Sequence, residues 1–294
     1  CRQRLIYNFA LSIFFSYLCS VKQLISYIIS ELRGFFPEEE LRELAYWIIE
    51  ETTGMTRTQI LTADKGTKNI PNVQAIVDRL RRFEPIQYIF GHSVWNGLDL
   101  IVTPDTLIPR PETAELVERI ARFRNSKEPL KILDVGTGSG CIAIALKKAF
   151  PFGQVTGVDV SEKALVVAKK NAEKNGVEVN FKKMDILSDF NEQKCQYDIV
   201  ISNPPYICES EKKDMRANVL EYEPGTALFV PDKDPLLFYR RIADLRWGKY
   251  LFFEINERFA QQIQEMLRKK GYRDVQLTND MYGKPRIIQA RLSE

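Results

Sequence analysis

Between residues 21 and 83, within a predicted domain at 21–90, apolar residues recur every three or four positions, the spacing that places them on one face of a helix. Gly34 and Gly54 interrupt this pattern, and Pro37 with the three glutamates after it is typical of a helix start. The pattern therefore predicts a small all-helical domain over this range. Its predicted helices precede Gly34, follow Pro37, lie near Thr58–Leu61 and span Asn72–Phe83.

The pattern changes near residue 87, where residues of high strand propensity flank a turn. Asn96-Gly97 lies between two apolar segments, which is a strong signal for a tight β-hairpin. Three prolines between residues 104 and 111 then separate this region from the next helix. We therefore expect residues 91–110 to form a β-hairpin linker.

Strands alternate with helices in the remaining residues, 111–294. This alternation is typical of an α/β fold, in which helices cover both faces of a parallel sheet. The last two predicted strands are joined only by the turn Asp280–Lys284, so they should pair antiparallel. The sequence thus predicts a doubly wound seven-stranded sheet with an antiparallel last strand. The predicted strands are Lys131–Val135, Gln154–Asp159, Glu178–Lys183, Asp198–Ser202, Tyr250–Glu254, Asp274–Leu277 and Arg286–Leu292, with helices near 140–149, 161–174, 236–245 and 257–270.

Composition removes several classes of chemistry. The chain has 294 residues and a single histidine, His92, which excludes a multi-histidine metal site. Its five cysteines form no C-x-x-C pair, which argues against a zinc knuckle, and their odd number is typical of a reducing compartment such as the cytoplasm. The net charge of +3 is too small to indicate a nucleic-acid binder. We therefore expect no metal site and a cofactor that carries the reactive group.

Residues 1–20 leave two interpretations open. The chain begins with Cys1 rather than Met, and Arg4 precedes an apolar run from Leu5 to Val21. This arrangement is similar to a secretory signal or anchor, but it lacks a clear small-x-small cleavage site. We expect an upstream extension of helical or loose structure, with a signal or anchor as the alternative.

A glycine-rich loop follows the first predicted strand of the sheet. Asp134-Val-Gly136-Thr-Gly138-Ser-Gly140 leads into a helix, and its glycines let a ligand approach the backbone. The next strand ends at Asp159, whose carboxylate can accept hydrogen bonds from both hydroxyls of a ribose. The spacing differs from the G-x-G-x-x-G of dinucleotide sites, and Asp134 would repel a pyrophosphate. We therefore favour S-adenosylmethionine over NAD. Asp185, after the third strand, either contacts adenine or forms a solvated turn.

The fourth predicted strand runs directly into Asn203-Pro204-Pro205-Tyr206. Proline has no N–H, so this loop offers a ligand mainly carbonyl oxygens, and the Asn203 side chain adds another acceptor. Such a loop is a rigid cradle for a planar NH₂ group, and Tyr206 supplies an aromatic face for packing. The alternative is a simple strand stop. Together the two loops predict methyl transfer to a planar nitrogen, promoted by positioning rather than by a histidine base.

Two further segments stand before the predicted sheet, Pro85-Ile-Gln-Tyr-Ile-Phe-Gly91 and Thr106-Leu-Ile-Pro109-Arg-Pro-Glu-Thr113. With the two loops, they resemble the HemK/PrmC family of class I methyltransferases, which act on glutamine in peptide-chain release factors. The resemblance covers residues 21–294, and Asp280-Met-Tyr-Gly283-Lys-Pro-Arg286 also matches the family's closing hairpin. The two upstream segments are the more specific, because many methyltransferases share the loops.

The resemblance implies an S-adenosylmethionine-dependent methyltransferase that modifies the glutamine of the release factor Gly-Gly-Gln loop and so modulates translation termination. The domain at 21–90 would recognise this substrate, and 111–294 would be the catalytic domain of a monomeric, cytoplasmic protein. Arg110, Pro111 and Glu112 would border the cofactor pocket. By the same resemblance, Gly136, Thr137, Gly138, Ser139, Gly140, Asp159, Asp185, Ile186 and Asn203 would contact the cofactor, Asn203, Pro204, Pro205 and Tyr206 would hold the glutamine, and Asn203, Pro204 and Tyr206 would be catalytic.

The chain departs from the family pattern at Ala114, where an acidic residue is common, and at Glu254-Ile-Asn256, where Glu-hydrophobe-Gly is usual. Three alternatives remain open. A methyltransferase of base amino groups would use the same Asn-Pro-Pro-Tyr loop, but it should show a basic stripe where this chain has only short clusters such as Arg79–Arg82. A ribosomal-protein glutamine methyltransferase shares the loop, although its upstream signature usually has Pro-Arg-Ser. A non-catalytic binding module is the third.

Overall fold

The computed structural model of the chain describes residues 20–63, 72–123, 127, 129–188 and 196–293. The chain divides into two compact units, with the boundary between Phe90 and Gly91. The two interpretations of residues 1–20 fall outside the described residues, apart from Ser20. Within the described ranges, no helix is both long and apolar enough to span a membrane.

The first unit is helical, as its apolar periodicity predicts. Ser20 caps the first helix by accepting a hydrogen bond from the Gln23 amide at 3.2 Å, and Gly54 ends the second in the left-handed conformation that suits glycine. Buried aliphatic side chains from all the long helices form one core. The described helices are α1 (Val21–Leu32), α2 (Glu38–Thr53), α3 (Arg57–Thr62), α4 (Val73–Leu80) and α5 (Ile86–Phe90).

A two-stranded hairpin opens the second unit. Strand β1 (His92–Trp95) pairs antiparallel with β2 (Leu98–Ile101), and Asn96 and Gly97 in the turn both have positive φ, 47° and 73°. The buried Asn171 holds this hairpin. Its Oδ1 accepts from the Ile101 amide at 2.6 Å, and its Nδ2 donates to the Ile101 and Ser139 carbonyls, each at 2.9 Å. One asparagine thus ties the hairpin to the glycine loop.

The rest of the second unit is a seven-stranded sheet with helices on both faces. Its strands are β3 (Lys131–Val135), β4 (Gln154–Asp159), β5 (Asn180–Lys183), β6 (Tyr197–Ser202), β9 (Gly248–Glu254), β10 (Tyr272–Asn279) and β11 (Pro285–Leu292). Two further strands, β7 (Ile207–Cys208) and β8 (Phe229–Val230), pair with each other in a separate small sheet. The strand order is β10-β11-β9-β6-β3-β4-β5, and only β11 is antiparallel to both of its neighbours. The predicted α/β fold with an antiparallel last strand is confirmed.

The helices divide between the two faces of this sheet. Helices α6 (Pro111–Phe123), α7 (Cys141–Ala149) and α8 (Glu162–Lys174) follow the hairpin, β3 and β4 respectively. The first two pack with Ile132 and Ile199 in one core. On the other face, α10 (Leu237–Leu245) and α11 (Ala260–Lys269) pack against Leu133 and Val200, with α9 (Ala217–Tyr222) lying between β7 and β8 in the chain. Alternate residues of each strand thus serve opposite cores.

Two short segments differ from the sequence expectation. Ile86–Phe90 is helical where the sequence indicates only the approach to the hairpin, because five residues are too few to show a helical period. Residues 207–230 contain β7, a 3₁₀-helix at Glu209–Asp214, α9 and β8, none of which the sequence pattern predicts. Their pairing is set by tertiary contact: Ile207 and Cys208 lie opposite Phe229 and Val230.

Candidate functional site

The glycine loop turns the chain from β3 into α7. Gly136 and Gly138 have φ of 74° and 54°, and a Cβ on either would meet no atom within 4 Å, so conformation rather than space requires glycine there. Gly140 differs, since a Cβ there would lie 3.1 Å from the Ala168 Cβ and 3.2 Å from the Phe181 ring. The first two glycines therefore leave room for a ligand, whereas the third allows close packing.

Asp159 stands at the end of β4, directly across from this loop. One carboxylate oxygen accepts a hydrogen bond from the Gly138 amide at 2.9 Å, and the other accepts from the Ser161 amide at 2.9 Å. These two bonds fix the carboxylate in one orientation. Each oxygen can accept a second hydrogen bond, so the group can also hold a ligand with two hydroxyls.

A cleft of about 840 Å³ opens along the carboxyl ends of β3 to β6. This is the edge of a doubly wound sheet at which ligands bind. Apolar surface comes from Met184 and Phe238, among others. Of the sequence-predicted site residues, the cleft brings together Gly136, Gly138, Asp159, Asp185, Ile186, Asn203, Pro204 and Pro205.

Asp185 lies in the cleft and also stabilises the turn that follows it. The residue lines the cleft, and its carboxylate accepts hydrogen bonds from the Leu187 amide at 2.9 Å and the Ser188 hydroxyl at 3.1 Å. The turn-capping interpretation and the ligand-facing one are therefore compatible in this position.

Three predicted cofactor contacts do not line the cleft. Thr137 is buried and donates to the Asp134 carboxylate at 2.6 Å, and the Ser139 carbonyl accepts from Asn171. Gly140 packs against α8, as described above. The three residues contact Asp134, Asn171 and Ala168 instead, and these contacts hold the loop in its shape.

Asp134 itself is completely buried. Burial raises its pKa to about 7, against the Thr137 hydrogen bond, which lowers it; the nearby Asp159 raises it further. The Ala143 amide favours the charged form, yet Oδ1 has no partner of hydrogen-bond geometry among the described residues. Asp134 does not line the cleft, so a cationic ligand there would favour its charged form only through charge at a distance.

The Asn-Pro-Pro-Tyr loop begins where β6 ends. Pro205 lines the cleft and Tyr206 lines a second cavity of about 750 Å³, while Asn203 and Pro204 line both. Leu107 and Ala227 are the other residues common to the two cavities. The loop predicted to be a cradle therefore forms a wall shared by two spaces.

The second cavity depends on residues that the sequence analysis missed. Ile207 in β7, Met215, Arg216 and Val219 close it, and all belong to the unpredicted segment 207–230. No periodic signal identifies them, because the elements there have only two to six residues, too few to repeat a pattern.

An ion pair fastens this segment to the chain before α6. Arg110 contacts the buried carboxylate of Glu223, which also accepts from the Ile108 amide at 3.1 Å. Arg110 lines the second cavity, not the cleft, and Pro111 and Glu112 line neither. Pro111 and Glu112 stand at the start of α6, and the expected place of all three residues beside the cofactor stays a prediction.

A buried carboxylate lies behind the Asn-Pro-Pro-Tyr loop. Glu254, at the end of β9, is 1% exposed and accepts hydrogen bonds from the Thr113 hydroxyl at 2.7 Å and the Tyr206 hydroxyl at 3.2 Å. Burial raises the pKa of Glu254, although the Thr113 hydrogen bond, the Arg286 charge and the Tyr206 hydrogen bond oppose the rise. The Asn203 Nδ2 in turn donates to the Thr113 oxygen at 3.2 Å.

Asn256 follows in the same turn. Its side chain donates to the Tyr206 carbonyl at 3.2 Å and accepts from the Arg258 amide at 3.1 Å, which caps a short 3₁₀-helix. Asn256 stands where the family pattern usually has glycine, and this departure is a sequence signal for Asn256, whereas Glu254 matches the pattern.

Potential metal ligands are dispersed. Across the part of the chain that the structure describes, no three His, Cys, Asp or Glu side chains group as metal ligands would. His92 lies on β1, with its Nδ1 3.2 Å from the Asp99 carboxylate, and lines neither cavity.

Comparison with known proteins agrees with this architecture. The family profile described as PrmC N-terminal domain matches residues 23–91, and the profile of the methyltransferase small domain matches residues 113–222. Among solved structures, the hMettl16 catalytic domain, in complex with a MAT2A 3′UTR hairpin, has a TM-score of 0.51 at 16% identity, covering 67% of this chain and 77% of that one. That likeness concerns the fold alone.

Curated relatives are closer. The release factor glutamine methyltransferase of Bacteroides thetaiotaomicron is 43% identical over 282 residues, 92% of this chain and 99% of the relative. The enzyme of the same name from Flavobacterium psychrophilum is 42% identical, covering 92% of this chain and 98% of the relative. Because both align along almost their whole length, the chain belongs to the family of release factor glutamine methyltransferases.

Proposed function

We propose that this protein transfers a methyl group from S-adenosylmethionine to the side-chain amide nitrogen of the glutamine in the Gly-Gly-Gln loop of a peptide-chain release factor. The observation that carries the proposal is the position of Asn203 and Pro204, which line both the cleft and the second cavity. A methyl donor in one space and an amide nitrogen in the other would meet at these residues. Membership of the family supports the glutamine and the release factor as the substrate.

The chemistry of the cleft suits S-adenosylmethionine. Asp159 keeps a free acceptor position on each oxygen for a ribose hydroxyl, and Asp134 has an uncompensated oxygen beside the glycine loop. Met184, Ile186 and Phe238 supply apolar surface for a purine. The lining of the cleft holds three aspartates, Asp105, Asp159 and Asp185, and no Arg or Lys that could bind a phosphate, which disfavours a dinucleotide. When bound, this cofactor supplies a sulfonium-activated methyl group.

The Asn-Pro-Pro-Tyr loop would hold the substrate amide. Asn203 contributes a side-chain carbonyl, and Pro204 and Pro205 remove two N–H donors that would compete with an NH₂ group. An amide nitrogen is a poor nucleophile because its lone pair is delocalised. Accepting both N–H bonds aims that lone pair, and such positioning can lower the barrier by on the order of 7–11 kcal/mol at best.

The proton requires no histidine. The nitrogen becomes strongly acidic only after methyl transfer, so its proton can leave to water at that stage. The position of His92 on β1, beside Asp99 and outside the lining of both cavities, is consistent with this order of events.

We further propose a division of labour along the chain. The helical domain at 21–90 binds the body of the release factor, the hairpin linker at 91–110 connects it, and 111–294 performs the reaction. The match of residues 23–91 to a family-specific profile supports a role for the helical domain particular to this family. The protein would act as a cytoplasmic monomer, without contacting nucleic acid or membrane.

The test is transfer of radiolabelled methyl from S-adenosylmethionine to a purified release factor. Its controls are the same factor with the loop glutamine replaced by alanine, a ribosomal protein mixture, and DNA. The proposal predicts label in the intact factor alone. Label in DNA or ribosomal protein, with none in the factor, would contradict it.

A further inference from the structure

Glu254 lines neither cavity. Each of its two carboxylate oxygens nevertheless accepts a hydrogen bond from a residue that is connected to the site. One accepts from Thr113 at 2.7 Å and the other accepts from Tyr206 at 3.2 Å. Thr113 is 3% exposed and lines neither cavity, so it also reaches the site only through a neighbour. That neighbour is Asn203, 90 residues away in the chain, whose Nδ2 lies 3.2 Å from the Thr113 hydroxyl oxygen.

The direction of hydrogen bonding along this chain follows from its last member. Both oxygens of Glu254 accept hydrogen bonds, one from the Thr113 hydroxyl and the other from the Tyr206 hydroxyl, the pattern of a carboxylate that donates to neither. The single hydroxyl hydrogen of Thr113 is therefore used toward Glu254. The Thr113 oxygen can then only accept, so Asn203 must present its NH₂ group to Thr113. This leaves the Asn203 carbonyl oxygen as the branch of the amide that Thr113 does not engage, on a residue that lines both cavities.

We propose that Glu254, acting through Thr113, is the positioning residue that fixes which end of the Asn203 amide faces the substrate nitrogen. This inference rests on the proposed function, in which the substrate offers an NH₂ group and needs an acceptor. A reversed Asn203 would oppose one NH₂ group with another. The same carboxylate holds the Tyr206 hydroxyl, so Glu254 fixes both ends of the Asn-Pro-Pro-Tyr loop.

The proposal also explains a sequence feature without an assigned role. Thr113 ends the Thr106–Thr113 signature, and Glu254 begins the Glu-Ile-Asn segment. The two are 141 residues apart in the chain and 2.7 Å apart in the fold. A hydroxyl is needed at position 113 because it must donate to one partner and accept from the other, which a methyl group cannot do.

Thr113→Val is the principal test, since valine keeps the shape of threonine and removes the hydroxyl. With the release factor as substrate, kcat should fall by about 100-fold, as for loss of other preorganised polar groups. The KM for the factor and the calorimetric affinity for S-adenosylmethionine should change by less than about threefold, because uniform binding is kept. Thr113→Ser should recover most of kcat. Thr156→Val, a similar change at a buried position of β4, controls for the loss of a core hydroxyl.

Glu254→Gln provides a second variant of the same chain. A glutamine amide must offer an NH₂ group to either Thr113 or Tyr206, so it cannot accept from both. Its oxygen can still accept from Thr113 while its NH₂ group donates to the Tyr206 oxygen, so we expect kcat to fall less than in Thr113→Val. A wild-type kcat in Thr113→Val would overturn the proposal. A fall in cofactor affinity and in melting temperature together with the fall in kcat would also overturn it, because it would indicate a purely structural role.

A measurement that needs no substrate separates this inference from the proposed function. In protein labelled with ¹⁵N-asparagine, the Asn203 side-chain amide resonances are identified by their loss in Asn203→Asp. They should shift in Thr113→Val and Glu254→Gln but keep their positions in Thr113→Ser and Thr156→Val. Unmoved resonances in Thr113→Val would overturn the inference. An inactive wild type whose Asn203 resonances respond as described would overturn the choice of substrate and leave the positioning role supported.

Discussion

Asp134 illustrates how one residue can reduce the stability of the fold for the sake of its site. A buried carboxyl with a pKa near 7 is neutral in the folded state at pH values where it is charged in the unfolded chain. The folded state then holds one more proton than the unfolded state between about pH 4 and 7. Its contribution to stability is therefore full below pH 4 and is lost as the pH rises to 7.

We predict that Asp134→Asn removes this pH dependence. The asparagine carbonyl can still accept from Thr137 and carries no charge to bury. The free energy of unfolding of the variant, relative to wild type, should rise by up to about 1.4 kcal/mol per pH unit across this window. Melting temperatures of both proteins between pH 4 and 8 measure the effect. Parallel curves would contradict it.

Asn203 gives a second prediction at the same scale. Asn203→Ala removes the side-chain acceptor without disturbing the prolines, so kcat should fall by about 100-fold or more. Because Asp159 and the glycine loop are untouched, affinity for S-adenosylmethionine should stay within about tenfold. Single-turnover methylation and calorimetry measure the two quantities. Unchanged turnover would refute the cradle role.

At the scale of elements, periodic sequence patterns predicted the parts of the fold with long-range regularity. Strands Lys131–Val135 and Gln154–Asp159 have the predicted bounds, because each is a continuous buried run between turn residues. Residues 207–230 were missed, because β7 and β8 have two residues each and exist only through their mutual pairing. A motif predicts where the Asn-Pro-Pro-Tyr loop lies. The residues behind it could not be predicted, because Thr113 and Glu254 are 141 residues apart in the chain and meet only in the folded protein.

The hairpin of β1 and β2 provides a prediction about elements. Asn171 makes three hydrogen bonds to the Ile101 and Ser139 backbone, so Asn171→Ala leaves buried polar groups without partners. We expect a loss of about 2–4 kcal/mol in the free energy of unfolding, from one or two unsatisfied groups. Cofactor affinity should fall as well, since Ser139 belongs to the glycine loop. Denaturant unfolding and calorimetry test this, with the exposed Glu173→Ala in the same helix as a control.

At the scale of the whole molecule, the chain has two compact units but only the second contains the two cavities. If the helical unit binds the body of the release factor, its contribution should be binding rather than chemistry. A short peptide spanning the Gly-Gly-Gln loop should then have a KM at least about 100-fold higher than the intact factor, with kcat within about tenfold. Equal KM values for peptide and factor would show that the helical unit contributes nothing to recognition.

The shared wall at Asn203 and Pro204 has a consequence for the order of events. Apart from four common residues, the cleft and the second cavity have different linings, so occupation of one leaves most of the other's surface in place. The methyl group can pass directly between two molecules held at once, and no protein side chain need carry it. Double-reciprocal plots of initial rate against one substrate, measured at several fixed concentrations of the other, should therefore give intersecting lines, as for a ternary complex. A ping-pong enzyme would give parallel lines.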